Sequence, residues 1–425
     1  MKAITFLGTK PSLQKYRMAD GREHEAHSFG ATLPRFYPGV SLRVFATESA
    51  SNASMASFTR DVEDFDCDLQ EIRIPEGRDQ EQLWELFSAM VGTVDDEEEV
   101  IFDITHGLRS LPVFGLLAAL FLRTARRVKV ASIFYGALEL QRDGCTPVVD
   151  LTPFANLLDW TMATDQFVTT GDARRLAGLV RHSQGVTESG RAAEILENAS
   201  RAAFLCQPLL LMPLAAKLPG IIDPASPPGA EAQPFGVLRA RIAGTFGSFG
   251  AGEAAPLADQ LSAQYCMLRW YFANHQTMQA VTLGREWLVT AVTWRLGEPL
   301  DLARRARSEM ENAVSGIARL GTDQCKDEMG KKRECLPADL NQAGKRIYET
   351  WSESERVQLK RIWNELSSLR NALDHAGYQQ NASKLARLVA KADHVANLLD
   401  QLAREWQLDR GSDELQRHLP GKEAP

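Results

Sequence analysis

The stretch from Ile101 to Pro112, IFDITHGLRSLP, gathers most of the side chains in the first third of the chain that could do chemistry. Asp103, Thr105, His106 and Arg109 offer a carboxylate, a hydroxyl, an imidazole and a guanidinium close together. Gly107 has no Cβ, so backbone can approach a ligand closely there. A helix starting just beyond would present unpaired N–H groups and the positive end of its dipole, a setting suited to phosphate. A second polar group, Gly8, Thr9 and Lys10, follows the first apolar run. No GxGxxG and no GxxxxGK[ST] occurs at either place, which disfavours an ordinary dinucleotide or P-loop site. On residue types alone, Thr105 to Gly107 reads equally well as a polar strand-to-helix turn.

These residues need elements to position them. Lys2–Leu7, Ser41–Ala46, Leu69–Ile74, Val100–Ile104 and Val128–Tyr135 read as strands. Gln80–Val91 places Leu83, Leu86, Phe87 and Met90 at helical spacing. A helix is predicted at about Leu111–Arg127, with Ser110 as its cap and Pro112 tolerated in its first turn. Strand, helix and strand in succession form a βαβ unit, so a Rossmann-like parallel sheet is expected up to about residue 155. Val148–Leu151 adds a predicted antiparallel edge strand. In such sheets ligands bind beyond the carboxyl ends of the strands, where Gly8 to Lys10 and Thr105 to Arg109 would lie.

Beyond residue 155 strand signals thin out, and the predicted fold class is α/β followed by all-α. Three domains are expected: 1–155, a helical connector over 156–256, and a helical domain over 257–425. Lys217–Pro256 is rich in Pro, Gly, Ala and Ser and reads as a long loop. Trp287, Trp294 and Trp363 read as core. The chain has 425 residues and a net charge of −7, and its first 150 residues, with 16 basic and 23 acidic groups, account for all of that excess. Whole-chain acidity therefore does not exclude a nucleic-acid partner. The six Cys show no CxxC and no paired spacing, which predicts reduced thiols and no zinc site. The apolar runs Leu111–Leu122 and Phe204–Ala216 are too short to span a membrane. With no signal peptide at the N-terminus, a cytoplasmic protein is expected.

Asp103, Thr105, His106 and Gly107, with the strand before and the helix after, closely resemble the D-x-T-H-G signature of CRISPR-associated CARF-domain proteins. These are Rossmann-like sensors of type III CRISPR immunity. The resemblance covers residues 1 to about 155, except Lys15–Pro38, which matches no pattern. It implies a domain that dimerises and binds a cyclic oligoadenylate, with Gly8, Thr9, Lys10, Thr105, His106, Gly107 and Arg109 as ligand contacts. Cyclic tetra-adenylate is the favoured activator and cyclic hexa-adenylate the alternative; no other cofactor and no metal is expected.

Relatives of this kind often carry a helical HEPN ribonuclease domain, whose signature is Arg, four to six residues, then His. The spacing occurs at Arg17/His24, Arg22/His27, Arg175/His182, Arg269/His275, Arg370/His375 and Arg387/His394. In the helical C-terminal part, Arg370 has the family's polar residue, Asn371, after it, and Thr277–Leu288 resembles the long first helix of that domain. Asn371 and His375 share a helix face as an i, i+4 pair. RNA carries its own nucleophile, the 2′-hydroxyl. His375 can therefore serve as general acid or base and Arg370 can hold phosphate oxygens, with Asn371 orienting either. Arg304 to Arg307 and Lys331 to Arg333 are basic clusters that could track an RNA backbone. The resemblance implies a homodimeric, metal-independent endoribonuclease acting on single-stranded RNA and switched on by a cyclic oligoadenylate. The alternative is a sensor of that ligand that binds nucleic acid without cutting it.

Overall fold

A computed structural model describes residues 1–107, 110–183, 188–222, 232–374 and 384–419. The chain forms two compact units, Met1–Asp159 and Trp160–Pro425.

The first unit is built on one eight-stranded sheet. In chain order its strands are β1 (Lys2–Phe6), β2 (Gln14–Arg17), β3 (Glu23–Ala26), β4 (Ser41–Ala46), β5 (Leu69–Arg73), β6 (Glu99–Asp103), β7 (Lys129–Gly136) and β8 (Cys145–Asp150). Their spatial order is β3-β2-β8-β7-β6-β1-β4-β5. The five strands from β7 to β5 are mutually parallel, as the βαβ reading requires. Helices α1 (Leu33–Phe36), α2 (Glu48–Val62), α3 (Gln80–Gly92) and α4 (Leu111–Ala125) connect strands of this unit. Every residue of β1 is buried, because a parallel strand covered on both faces has no solvent side. Its side chains alternate between two cores. Ala3 packs with Leu42, Val44 and Ile101, whereas Ile4 and Phe6 pack with Phe45, Phe102 and Leu122.

Three expectations change here. The strand at 145–150 is antiparallel to β7, as predicted, but it is not the edge. β2 pairs with its far side in parallel and β3 closes the sheet, so the unmatched segment after Lys15 becomes two further strands. Ser110 stands at the N-terminus of α4 in helical geometry and makes no side-chain cap bond, while Pro112 occupies the first turn. Thr47 and Asp79 do cap α2 and α3, accepting from Ala50 N–H at 3.2 Å and Gln82 N–H at 2.9 Å.

The second unit is helical. Helix α5 (Thr152–Thr170) contains the unit boundary, and α6 (Arg174–Ser183), α7 (Glu188–Phe204) and α8 (Pro208–Ala215) follow. Lys217–Pro256 is not one long loop. It contains α9 (Leu218–Ile222), α10 (Ala232–Phe246) and a 3₁₀ turn, whose Ile242, Phe246 and Phe249 join the core. Burial of that apolar face outweighs the local Gly and Pro content. Then come α11 (Leu257–Ala273), α12 (Thr277–Arg295), α13 (Arg304–Arg319), α14 (Gln342–Thr350), α15 (Glu353–Asp374), α16 (Leu385–Glu405) and α17 (Ser412–Gln416). Trp287 and Trp363 are buried and Trp294 is partly so. Buried aromatic polar groups find backbone partners: Trp270 Nε1 donates to Val168 O at 2.7 Å and Trp287 Nε1 to Leu261 O at 2.9 Å.

The thiol expectation is corrected too. Cys325 and Cys335 form a disulfide, their Cα atoms 5.0 Å apart, across a small hairpin of β9 (Cys325–Lys326) and β10 (Lys332–Arg333). The hairpin folds a ten-residue spacing back on itself, a pairing that no CxxC-type motif announces. Cys67, Cys145, Cys206 and Cys266 are free.

Candidate functional site

The strand order reverses beside β1. After the β2–β3 pair at the far edge, the chain returns to β4 and β5 on one side of β1, then crosses to β6 and β7 on the other. The crevice at such a switch point, beyond the strands' carboxyl ends, is where open α/β sheets hold ligands. The two sequence-predicted segments meet there. A Cβ placed on Gly8, just past β1, would lie 3.6 Å from the backbone N of Gly107 and 3.9 Å from His106 Cβ, past β6. Gly107 has φ +105°, and a Cβ on it would lie 2.6 Å from Leu111 and 3.2 Å from Phe6. Only glycine fits that turn without strain.

Each side chain of the motif is held by a specific bond. Asp103 is fully buried. Its carboxylate accepts from the Thr5 hydroxyl at 2.6 Å and from the Thr105 N–H at 2.9 Å. Burial raises its pKa, opposed by neighbouring His106 and by these hydrogen bonds. Asp103 thus holds the turn and does not face a ligand. Thr105 Oγ1 accepts the Gly136 N–H at 2.7 Å, tying the turn to β7. His106 Nε2 lies 3.1 Å from the Tyr16 hydroxyl and accepts the Phe29 N–H at 3.4 Å. A nitrogen that accepts from a backbone amide carries no proton, so the ring is neutral with its proton on Nδ1. Burial lowers its pKa in keeping with this, against the pull of Asp103.

Thr9 and Lys10 are exposed past the end of β1. Lys10 and Gly8 line a narrow cleft together with Leu7, Pro11, His27, Ser28, Ser54, Ser57, Phe58 and His106. Arg109 lies outside the described residues. His27, Ser28, Ser54 and Ser57 were not among the predicted contacts. His27 and Ser28 follow β3, in the segment that matched no pattern, and the serines sit on α2. A weak signal was present: His27 stood in one of the Arg/His spacings, but nothing in the sequence placed it beside Gly8. His24, four residues after Asp20 in the same segment, packs its ring edge-on to Phe65 at 5.7 Å.

In the second unit, Arg370 and Asn371 are exposed on the last turns of α15. Arg370 Nε pairs with Asp374 Oδ2 at 3.1 Å. His375 lies outside the described residues. α15 packs on α12, where Gly284 leaves room for Leu366 and Leu399: a Cβ there would stand 3.2 and 3.3 Å from their methyl groups. Arg285 lies over the Trp363 ring at 4.4 Å. Of the other pairs, Arg269 is held by Ser412 O and Gln416. Within the basic clusters, Arg307 pairs with Glu286 and Arg333 with Asp339, which leaves Arg304, Arg305, Lys331 and Lys332 exposed. Among the described residues no group of three or more His, Cys, Asp or Glu is arranged to hold a metal ion, and no helix is long and apolar enough to cross a membrane.

No family model matches the chain. It is similar to CRISPR-associated protein MJ1674 of Methanocaldococcus jannaschii, with 34% identity over 129 residues, a stretch that is 29% of this chain and 20% of that protein. The structure of Enterococcus italicus Csm6 bound to cyclic hexa-2′-fluoro-hexa-dAMP aligns over 98% of both chains, at 9% identity and a TM-score of 0.45. The sequence likeness to that CRISPR-associated protein is thus confined to 129 residues, and this chain spans about a fifth of that protein's length.

Proposed function

We propose that the chain is a ribonuclease of type III CRISPR defence, switched on when a cyclic oligoadenylate binds its first unit. The observation that carries this reading is the meeting of Gly8–Lys10 with His106–Gly107 at the sheet's switch point. Exposed backbone N–H groups of these turns, with Lys10 and Arg109, bind the ligand's phosphates, and Thr105 and His106 shape the turn that receives it. Four adenylates are favoured, with six as the alternative. The single-chain cleft is narrow, so the ring lies across two copies in a homodimer.

The second unit supplies the RNA-cleaving site, in the cytoplasm, with residues 156–256 connecting a 257–425 nuclease domain to the sensor. His375 takes the proton of a 2′-hydroxyl as that oxygen attacks the adjoining phosphorus. The P–O5′ bond breaks and the leaving O5′ takes a proton from solvent, giving a 2′,3′-cyclic phosphate and a 5′-hydroxyl end, after which His375 returns its proton to solvent. Arg370 holds the phosphate oxygens as charge builds, releasing Asp374 to do so, and Asn371 positions the imidazole. The nucleophile belongs to the RNA, so the step needs no metal. Ligand binding acts on this site to the extent that the ring prefers the active arrangement of the dimer.

The test is cleavage of single-stranded RNA in excess EDTA, with cyclic tetra- or hexa-adenylate or neither. One ring should stimulate cleavage, and His375→Ala should reduce it by about 10²-fold or more. RNA binding without cleavage under every condition would favour the sensor that does not cut.

A further inference from the structure

The cleft beside Gly8 has walls that the motif does not supply. β2 and β3 carry the chain outward and back, and the turn after β3 delivers His27 and Ser28 to the floor beside Leu7, Lys10 and Phe58. Ser28 is 6% exposed, and its hydroxyl has no hydrogen-bond partner. A buried hydroxyl left unsatisfied is costly and rare, and this one lines a cleft with about 10 Å³ of room, enough for one water-sized group.

His27 is held in one orientation. Its backbone N–H donates to Asp61 at 2.6 Å and its Nδ1 stands 3.1 Å from both Asp61 oxygens. A carboxylate accepts only, so the Nδ1 proton points to Asp61, and in the neutral ring Nε2 is left as an acceptor. Nε2 has no hydrogen-bond partner among the described residues. Ser54 is already committed, donating to Gly8 O at 2.5 Å, which holds the wall in place. The cleft therefore combines an imidazole acceptor, an orphan hydroxyl and, at its mouth, the Lys10 cation, with room for a single small polar group.

We propose that this pocket reads a ribose 2′-hydroxyl: the hydroxyl donates to His27 Nε2 and accepts from Ser28 Oγ, while Lys10 meets the neighbouring phosphate. A deoxyribose presents carbon-bound hydrogen at that point and leaves both groups unpaired. His27 and Ser28 thus make the sensor selective for ribonucleotides. The inference rests on the cyclic-oligoadenylate reading above, and it adds Asp61 as a positioning residue that fixes the His27 tautomer.

Binding of cyclic tetra- and hexa-adenylate and of their all-2′-deoxy counterparts to the full chain, by calorimetry, tests it. Wild type should favour the ribo ring by at least about 10-fold, since a site built to bond a hydroxyl rejects the analogue lacking it. His27→Ala and Ser28→Ala should each narrow that ratio toward one, chiefly by weakening the ribo ring, and Asp61→Asn should narrow it partway. Ser28→Ala removes only an unbonded hydroxyl, so it keeps the test valid if the His27 variant misfolds. A wild-type ratio near one, or a ratio unchanged in both variants, overturns the proposal while leaving the sensor reading intact. Binding of no ring at all overturns both.

Discussion

Neutral His106 is a consequence of where its Nε2 points. Facing the Phe29 amide and the Tyr16 hydroxyl, the ring cannot take up a second proton without losing the amide bond. Burial lowers its pKa in the folded state below the ordinary His value of about 6.5. The unfolded chain then binds that proton more readily, so stability from this group is present above about pH 6.5 and is lost as pH falls toward the lowered value. Asp103 has the opposite sign: burial raises its carboxyl, so its contribution declines as pH rises from about 4. His106→Gln keeps an acceptor for the Phe29 amide and cannot be charged. Urea midpoints of wild type and His106→Gln measured from pH 7 to 5.5 should show a shallower loss in the variant, and parallel curves would reject the assignment. The residues of the D-x-T-H-G motif thus divide by direction. Asp103 and Thr105 face inward and lock the turn, which leaves Gly107 exposed at its tip.

Among elements, α4 is the one the motif depends on most, because it starts where the turn ends and must lie close to the sheet. Gly115 provides the approach: a Cβ on it would stand 3.1 Å from Ile104 and 3.3 Å from Phe6. Gly115→Leu should push the helix off β1 and β6 and cost about 1–3 kcal/mol by overpacking. Gly92, at the end of α3, has no neighbour within 4 Å of such a Cβ. Gly92→Ala should therefore be neutral or stabilising by up to about 1 kcal/mol. Equal urea midpoints for the two variants would sink this account of the helix contact. α4 itself was legible, since its period, Pro112 and flanking strands all agree. The β2–β3 pair was not: Gln14–Arg17 and Glu23–Ala26 are short, and all but Tyr16 and Ala26 escape full burial, so they leave no apolar period to read.

At the scale of the whole molecule, the first unit presents an apolar surface. Trp84, Val113, Leu117 and Phe121, on α3 and α4, are 62%, 58%, 48% and 47% exposed. Trp84 meets Phe87 and Phe87 meets Phe121, at ring separations of 5.9 and 5.5 Å, so the patch is continuous. Monomers rarely expose such a patch, and the proposed homodimer would cover it. Leu117→Glu together with Phe121→Glu should turn a dimer into a monomer in sedimentation equilibrium and abolish ligand-stimulated RNA cleavage, with the circular dichroism unchanged. A wild type that is already monomeric at micromolar concentration would reject the dimer, and a variant that stays dimeric would reject this face.

The sequence by itself determined the parallel centre of the sheet, the helical character of the rest and the two segments that converge beside β1. Those features rest on local period and on residue types whose chemistry does not depend on distant partners. Tertiary structure decided what faces what. It buried Asp103 against Thr5, turned His106 onto Phe29, formed α9 and α10 within Lys217–Pro256 and joined Cys325 to Cys335. It also brought His27 and Ser28 to the cleft that Gly8 and Lys10 open. The physical reason is common to all of these. Hydrogen-bond direction and burial are fixed between residues far apart in the chain, and spacing along a sequence carries no record of them.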